Sequence, residues 1–177
     1  MSIQLEQPSL DMINQLYPGV RERVIPFLTE VVNQTGFNVR ITSSFRSINE
    51  QQIDYNKGRT TSDAIVTYSN PFQSFHNYGL AFDICFRGKD PYLAATTGGN
   101  SIWSRVGALG QMFGFQWGGN FKFPDQPHFE DSYKLNWENC QSLVEDNGLS
   151  ALWNFIDKQR GIPVGINYGK IPALYSN

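Results

Sequence analysis

The segment SFHNYGLAFDI, residues 74–84, holds a histidine and an aspartate seven positions apart, with a glycine between them. Its second half continues into the strand-like run LAFDICF, which carries Asp83. Gly79 allows the chain to turn tightly between His76 and that strand. The segment therefore predicts a turn and a strand that bring His76 and Asp83 together.

The second of the two histidines in the chain lies in PDQPHFE, residues 124–130. Zinc binds histidine nitrogen and carboxylate oxygen, and a catalytic site uses three protein ligands and keeps a fourth position for water. Both histidines lie in aromatic-rich segments that contain glycine or proline, with carboxylates nearby. The sequence predicts a metal site formed by His76, Asp83 and His128. For either histidine alone, an ordinary partly buried side chain is the alternative.

A catalytic zinc site also needs a general base for its water. Asp125 lies three residues before His128, in the turn that leads into the predicted strand, and is the first candidate. Glu130 has the same strand parity as His128, so it is either the competing base or a residue that supports the ligand. A simple turn-forming role is the alternative for Asp125.

Arg46 is the candidate for holding the oxygen of a carbonyl under attack. It lies where the strand-like segment FNVRITSSF, residues 37–45, meets a helix start. The alternative for a single arginine is a surface cation.

The remaining pattern predicts an α+β fold, in which helices pack on a small, mostly antiparallel sheet. Apolar residues at helical spacing begin at Val20, and Gly36 is placed to end that helix. Ser47 and Glu50 form the S-x-x-E pattern of a capping box, which opens a helix that runs to about Gly58.

Length, charge and composition exclude several classes of protein. The chain has 177 residues and a formal net charge of −2, with no run of Lys or Arg, so nucleic acid is not an expected partner. No segment approaches the roughly 18 apolar residues of a membrane span. We expect a monomer.

Cys85 and Cys140 form no disulfide framework, and the sequence leaves open whether they are free thiols or one bridge.

Four motifs together carry a resemblance to a known family. They are FRS…EQ…Y…GRT, S-x-H-x-x-G-x-A-x-D, W-G-G and D-x-x-H-F, and they lie within about residues 16–130. They resemble the zinc-dependent L-alanyl-D-glutamate peptidases of phage endolysins and bacterial cell walls. That group also includes D-alanyl-D-alanine peptidases and the Hedgehog-like metal domain. The resemblance implies a Hedgehog/DD-peptidase-like fold.

The resemblance also implies a role for each matched position. His76, Asp83 and His128 would be the zinc ligands, Asp125 the general base, and Arg46 the residue that binds the scissile carbonyl oxygen. The residues that would line the substrate groove are Ser74, Gln51, Tyr78 and Trp117. One departure is Asp54, which stands where the family usually has leucine and implies different local packing.

The implied activity is hydrolysis of the L-Ala–D-Glu bond in peptidoglycan stem peptides. The alternatives are a D,D- or L,D-carboxypeptidase on the same scaffold, and a non-catalytic cell-wall binding module that keeps zinc for structure. A nucleophilic pair of Cys85 with a histidine is a third alternative, but nothing in the sequence activates a thiol embedded in a strand.

The organisation and location of the protein are further expectations. Residues 1–133 are predicted to form the catalytic domain, and 134–177 a helical extension packed on the same domain. The first residues show no secretory signal. We therefore expect synthesis in the cytoplasm, followed by action on the cell wall after holin-type release or dedicated secretion.

Overall fold

A computed structural model describes residues 3–145, 147–163 and 167–175. Within these residues the chain forms six α-helices and four β-strands, which confirms the α+β prediction. The helices are α1 (Gln7–Asn14), α2 (Pro18–Thr35), α3 (Ile48–Asn56), α4 (Gly99–Met112), α5 (Trp137–Glu145) and α6 (Gly148–Gln159). The strands are β1 (Val39–Ser43), β2 (Ala81–Phe86), β3 (Gln116–Trp117) and β4 (His128–Glu130). Among the described residues, no helix combines the length and the apolar character that crossing a membrane requires.

Two local signals in the sequence mark helix boundaries correctly. Gly36 follows α2 with a left-handed φ of 74°, and its backbone N–H bonds to the Val32 carbonyl. The predicted capping box opens α3, because Ser47 accepts from the Glu50 backbone and the Glu50 side chain accepts from the Ser47 backbone. That helix ends at Asn56, slightly earlier than predicted. Local side-chain to backbone bonds therefore set these boundaries.

The sheet has the strand order β1-β2-β4-β3, and its neighbouring strands are antiparallel. The pairing of β2 with β4 places Asp83 directly opposite His128, and Phe82 directly opposite Phe129. Because side chains alternate along a strand, the two pairs lie on opposite faces of the sheet. One face is therefore available for chemistry while the other is apolar.

The apolar face is fixed by an aromatic cluster. Phe82 and Phe129 stack with their ring centroids 5.7 Å apart, and Phe27 from α2 lies 4.9 Å from Phe129. Phe115 packs edge-on against Phe82 at 5.0 Å. Phe27, Phe82 and Phe129 are fully buried. Buried aromatic pairs of this kind stabilise a fold beyond the area that they bury, so this cluster holds the strand register.

Contacts divide the chain into two compact units that the sequence analysis did not foresee. The first combines Met1–Ser44 with Ala81–Asp131, and the second combines Phe45–Leu80 with Ser132–Asn177. The predicted boundary between residues 133 and 134 remains a prediction.

Within the second unit, residues after 133 form hydrogen bonds with the segment before β2 and with the start of α3. The indole N–H of Trp153 donates to the Tyr78 carbonyl at 3.0 Å, and the Tyr78 hydroxyl oxygen lies 3.3 Å from the Trp137 carbonyl oxygen. The Ile48 backbone N–H at the start of α3 bonds to the Leu174 carbonyl at 2.8 Å. The residues after 133 therefore contribute to the packing of the second unit.

The buried thiol of Cys140 predicts a dependence of stability on alkaline pH. Burial raises its pKa from 9.0 to about 12. The unfolded chain therefore loses this proton at a lower pH than the folded chain, so the stabilisation present below pH 9 is lost as the pH rises toward 12. We expect the free energy of unfolding to fall less steeply between pH 9 and 11 in Cys140→Ala than in the wild type, by about 1 kcal/mol per pH unit. Chemical denaturation at several pH values measures this, and equal slopes would contradict it.

Candidate metal centre

His76 is presented by a 3-10 turn, Phe75–Tyr78, directly before β2. Ser74 caps this turn, because its hydroxyl accepts from the His76 backbone N–H at 3.3 Å. Gly79 ends it in a left-handed conformation with φ 67°, as the tight turn predicted from the sequence requires. His76 itself is 3% exposed.

The three predicted ligands come together. His76, Asp83 and His128 each offer one ligand atom, and these atoms all lie within 4.8 Å of one another. Neighbouring ligand atoms of a tetrahedral zinc ion are about 3.3 Å apart, from zinc–ligand distances of roughly 2.0–2.1 Å. His128 Nδ1 and Asp83 Oδ1 are 3.1 Å apart. Two imidazoles and one carboxylate are a donor set that suits zinc, so these residues fit the metal that the sequence implies.

Glu130 lies against the other nitrogen of the His128 ring. Its Oε2 atom is 2.9 Å from His128 Nε2, and its side chain is 8% exposed. Burial opposes protonation of His128, but the hydrogen bonds to Asp83 and Glu130 outweigh it and raise the pKa of His128 to about 10. A carboxylate bonded to the far nitrogen of a histidine orients that ring toward a metal.

Asp125 occupies a different environment from Glu130. Asp125 is exposed. Its backbone forms the turn before β4, in which the His128 N–H donates to the Asp125 carbonyl at 3.2 Å. The Asp125 N–H bonds to the Gly118 carbonyl at 2.9 Å. A Cβ atom on Gly118 would lie 2.5 Å from the Asp125 carbonyl oxygen and 2.9 Å from the Cβ atom of His128. The first glycine of the W-G-G motif therefore permits the close approach of the turn that carries Asp125.

Trp117 fixes the loop that follows it. Its indole N–H donates to the Gln126 carbonyl at 2.8 Å. A Cβ atom on Gly107 of α4 or on Gly119 would lie 2.2 Å from the Trp117 ring, so both glycines make room for the indole. The role of Trp117 in lining the substrate groove remains a prediction, and these contacts show that it anchors the loop containing Asp125.

Arg46 is held at its backbone and at its side chain. Its N–H donates to the His76 carbonyl at 3.1 Å, and its carbonyl accepts from the Asn77 amide at 2.8 Å. Its guanidinium donates through Nη1 to Gln51 Oε1 at 3.1 Å, and its Nε lies 3.4 Å from Asp54 Oδ2. The backbone contacts tie Arg46 to the 3-10 turn that carries His76.

Two of the residues predicted to line the substrate groove are buried, and their contact with substrate remains a prediction. Gln51 and Tyr78 are both 0% exposed. The Tyr78 hydroxyl donates to the Phe72 carbonyl at 2.6 Å, and burial raises the pKa of Tyr78 well above its usual range. Their contacts are those of residues that hold the site together. Ser74 is half-buried and caps the turn of His76.

Sequence reasoning missed two supporting residues. Asn77 is fully buried, donates to the Arg46 carbonyl and accepts from the Phe72 backbone N–H at 3.1 Å. Asp54 was noted only as a departure in packing, but it forms ion pairs with Arg46 and Lys57. The spacing of Gln51 and Asp54, three residues apart on one helix, was the available signal that they share a face.

Comparison with known proteins agrees with this site. A family model described as D-alanyl-D-alanine carboxypeptidase matches residues 67–131, which include all three candidate ligands. A peptidoglycan L-alanyl-D-glutamate endopeptidase of Bacillus subtilis, CwlK, is 37% identical over 124 residues, covering 66% of this chain and 74% of the relative. The chain therefore belongs to the peptidase family that includes this endopeptidase.

The chain is also similar to one solved structure. The crystal structure of the Serratia marcescens L-Ala D-Glu endopeptidase ChiX has a TM-score of 0.49 and 14% sequence identity. The match covers 75% of this peptidase chain and 92% of the other.

Glu130→Gln should weaken metal binding in this peptidase. The amide keeps the shape of the side chain but removes the negative charge from His128 Nε2, so we expect zinc affinity to fall about 10–100-fold. Competition with a chromogenic chelator measures this. Glu138→Gln, an exposed position on α5, is the matched control and should leave zinc affinity unchanged. Equal zinc affinities in the two variants would contradict the supporting role of Glu130.

Gly118→Ala should disturb the site more than a comparable core change. Its new methyl group would press on the Asp125 carbonyl, and moving that turn also moves His128. Overpacking typically costs about 1–3 kcal/mol of stability. Gly110→Ala is the control, because its methyl group would press on the Phe129 ring, on the other face of the sheet. We expect both variants to have lower melting temperatures, but only Gly118→Ala to bind zinc more weakly. Unchanged zinc affinity in Gly118→Ala would count against this account.

Proposed function

We propose that the protein is a zinc-dependent endopeptidase that hydrolyses the L-Ala–D-Glu bond of peptidoglycan stem peptides. The observation that carries this proposal is the set of ligand atoms of His76, Asp83 and His128 within 4.8 Å of one another. The 37% identity to a peptidoglycan L-alanyl-D-glutamate endopeptidase supports the choice of substrate.

The three ligands would hold one zinc ion. When bound, zinc supplies Lewis-acid chemistry, which polarises a carbonyl and lowers the pKa of water to about 7. The protein contributes a fixed donor set. Asp83 is held by pairing on both sides in the sheet, opposite His128 on β4 and Ser43 on β1.

Asp125 is the proposed general base. It takes a proton from the water that attacks the peptide carbonyl and returns that proton to the departing amine. Its exposure supports this role, because a base must reach water and substrate. Glu130 is buried and bonded to His128 Nε2, which supports an orienting role instead.

Arg46 is proposed to stabilise the carbonyl oxygen as it gains negative charge. A guanidinium whose position is fixed before the reaction stabilises charge without having to reorganise. The bonds that link Arg46 to the His76 turn and to α3 support such preorganisation. Ser74 and Trp117, which are half-buried, remain proposed substrate contacts.

We also propose how the protein reaches its substrate. It would act as a monomer on the cell wall, after release through a holin-type pore or by a dedicated secretion system. No nucleic acid is proposed as a partner.

A D,D- or L,D-carboxypeptidase is the second candidate, because the matching family model is described as a D-alanyl-D-alanine carboxypeptidase. A binding module that keeps zinc only for structure is less favoured. Such a module would need neither a preorganised arginine nor an exposed carboxylate beside the site.

Mass spectrometry of digested peptidoglycan tests the proposal. Zinc-loaded protein should release fragments with a new N-terminal D-Glu, and a chelated sample should not. Release of D-Ala alone would overturn the endopeptidase assignment in favour of the carboxypeptidase. No cleavage by a folded, zinc-loaded sample would overturn both in favour of the binding module.

Asp125→Ala should lower the rate of this cleavage about 10²–10⁴-fold, the usual contribution of a general base. Zinc content should stay at the wild-type level, because Asp125 is not a proposed ligand. Asp63→Ala, an exposed acid that bonds only locally to Thr61 in the described contacts, is the control for the change in charge. Cleavage by Asp125→Ala at the wild-type rate would make Glu130 the candidate base.

A further inference from the structure

Asp54 makes contacts that the proposed mechanism does not yet use. One carboxylate oxygen, Oδ2, lies 3.4 Å from Arg46 Nε, and the other, Oδ1, accepts from Lys57 Nζ at 2.8 Å. The Asp54 and Arg46 side chains are 20% and 19% exposed. This pair is therefore partly shielded from water and salt, unlike most surface ion pairs.

Gln51 acts on the same guanidinium from one turn earlier on α3. Its Oε1 accepts from Arg46 Nη1 at 3.1 Å, while its Nε2 donates to the Ser69 carbonyl at 2.8 Å. Gln51 is fully buried, and its bond to Ser69 fixes which end of the amide faces Arg46. Residues three apart lie on the same helix face, so Gln51 and Asp54 contact the guanidinium together.

The helix that carries both residues is itself well anchored. The capping box of Ser47 and Glu50 fixes the start of α3, and the Ile48 N–H is bonded to the Leu174 carbonyl. An arginine held by a fixed helix at its side chain and by the His76 turn at its backbone has few rotamers left.

We propose that Asp54 is a positioning residue, which holds the Arg46 guanidinium in the orientation that the carbonyl oxygen needs. Gln51 supplies a neutral acceptor, whereas Asp54 supplies the charge that keeps the cation against α3. The Asp54 carboxylate contacts both Arg46 and Lys57, so it lies between two cations and offsets their mutual repulsion. The inference rests on the proposed role of Arg46 in catalysis.

A double-mutant cycle on the zinc-loaded enzyme tests this, with a stem peptide that contains the L-Ala–D-Glu bond as substrate. We expect Asp54→Ala to lower kcat about 10-fold, with KM and zinc content little changed, because misplacing a catalytic group by a fraction of an ångström has effects of this order. In an Arg46→Ala background the same change should have no further effect. Asp54→Glu should recover part of the rate, and Asp63→Ala should match the wild type.

Two kinetic results would overturn the proposal. One is wild-type kcat in Asp54→Ala. The other is an equal fall of kcat in the Arg46→Ala background, which would show that Asp54 acts independently of Arg46. If Asp54→Ala does not fold, Asp54→Asn has nearly the same shape and tests the charge alone.

An NMR measurement separates this inference from the proposed function. The Nε–H signal of Arg46 should exchange slowly with water in the wild type and at least several-fold faster in Asp54→Asn. If the signal exchanges faster in Asp54→Asn while Arg46→Ala cleaves at the wild-type rate, the contact between Asp54 and Arg46 is confirmed. Only the proposed catalytic role of Arg46 is then contradicted. Equal exchange in both proteins would overturn the positioning role itself, whatever the activity.

Discussion

The pairing of Asp83 with His128 across β2 and β4 is the constraint on which the metal centre depends. The two residues are direct antiparallel partners, and His128 Nδ1 lies 3.1 Å from Asp83 Oδ1. A slip of one residue in this register would place Asp83 and His128 on opposite faces of the sheet. Such a slip would also separate Phe82 from Phe129 and disrupt the apolar cluster around Phe27, so the packing of these rings opposes it. The hydrophobic face therefore specifies the geometry of the polar face.

The two carboxylates that flank His128 in sequence have different surroundings, and this difference separates their proposed roles. Glu130 is buried on the strand and bonded to the imidazole, whereas Asp125 is exposed in the turn. A buried acceptor orients a histidine, while an exposed one can exchange protons with water and substrate. Environment thus assigns different tasks to chemically similar groups.

Two of the groups proposed to take part in the chemistry, Asp125 and Arg46, are supported by a neighbouring side chain that bonds to a backbone carbonyl. Trp117 holds the Asp125 loop through the Gln126 carbonyl, and Gln51 faces Arg46 because its amide is fixed by the Ser69 carbonyl. Backbone groups are less mobile than long side chains, so supports of this kind preorganise a site at little additional entropic cost.

Sequence alone determined the features that depend on near neighbours along the chain. The capping box of α3, the glycine end of α2 and the α+β class follow from local bonding and from apolar spacing, and the structure confirms them. The clustering of His76, Asp83 and His128 was also predicted, because the chain has only two histidines and each lies in a distinctive motif. Only the tertiary structure decided that Tyr78 and Gln51 are buried supports and that Asp54 faces Arg46. Burial and ion pairing depend on which segments fold against one another, and no local pattern of residues specifies that.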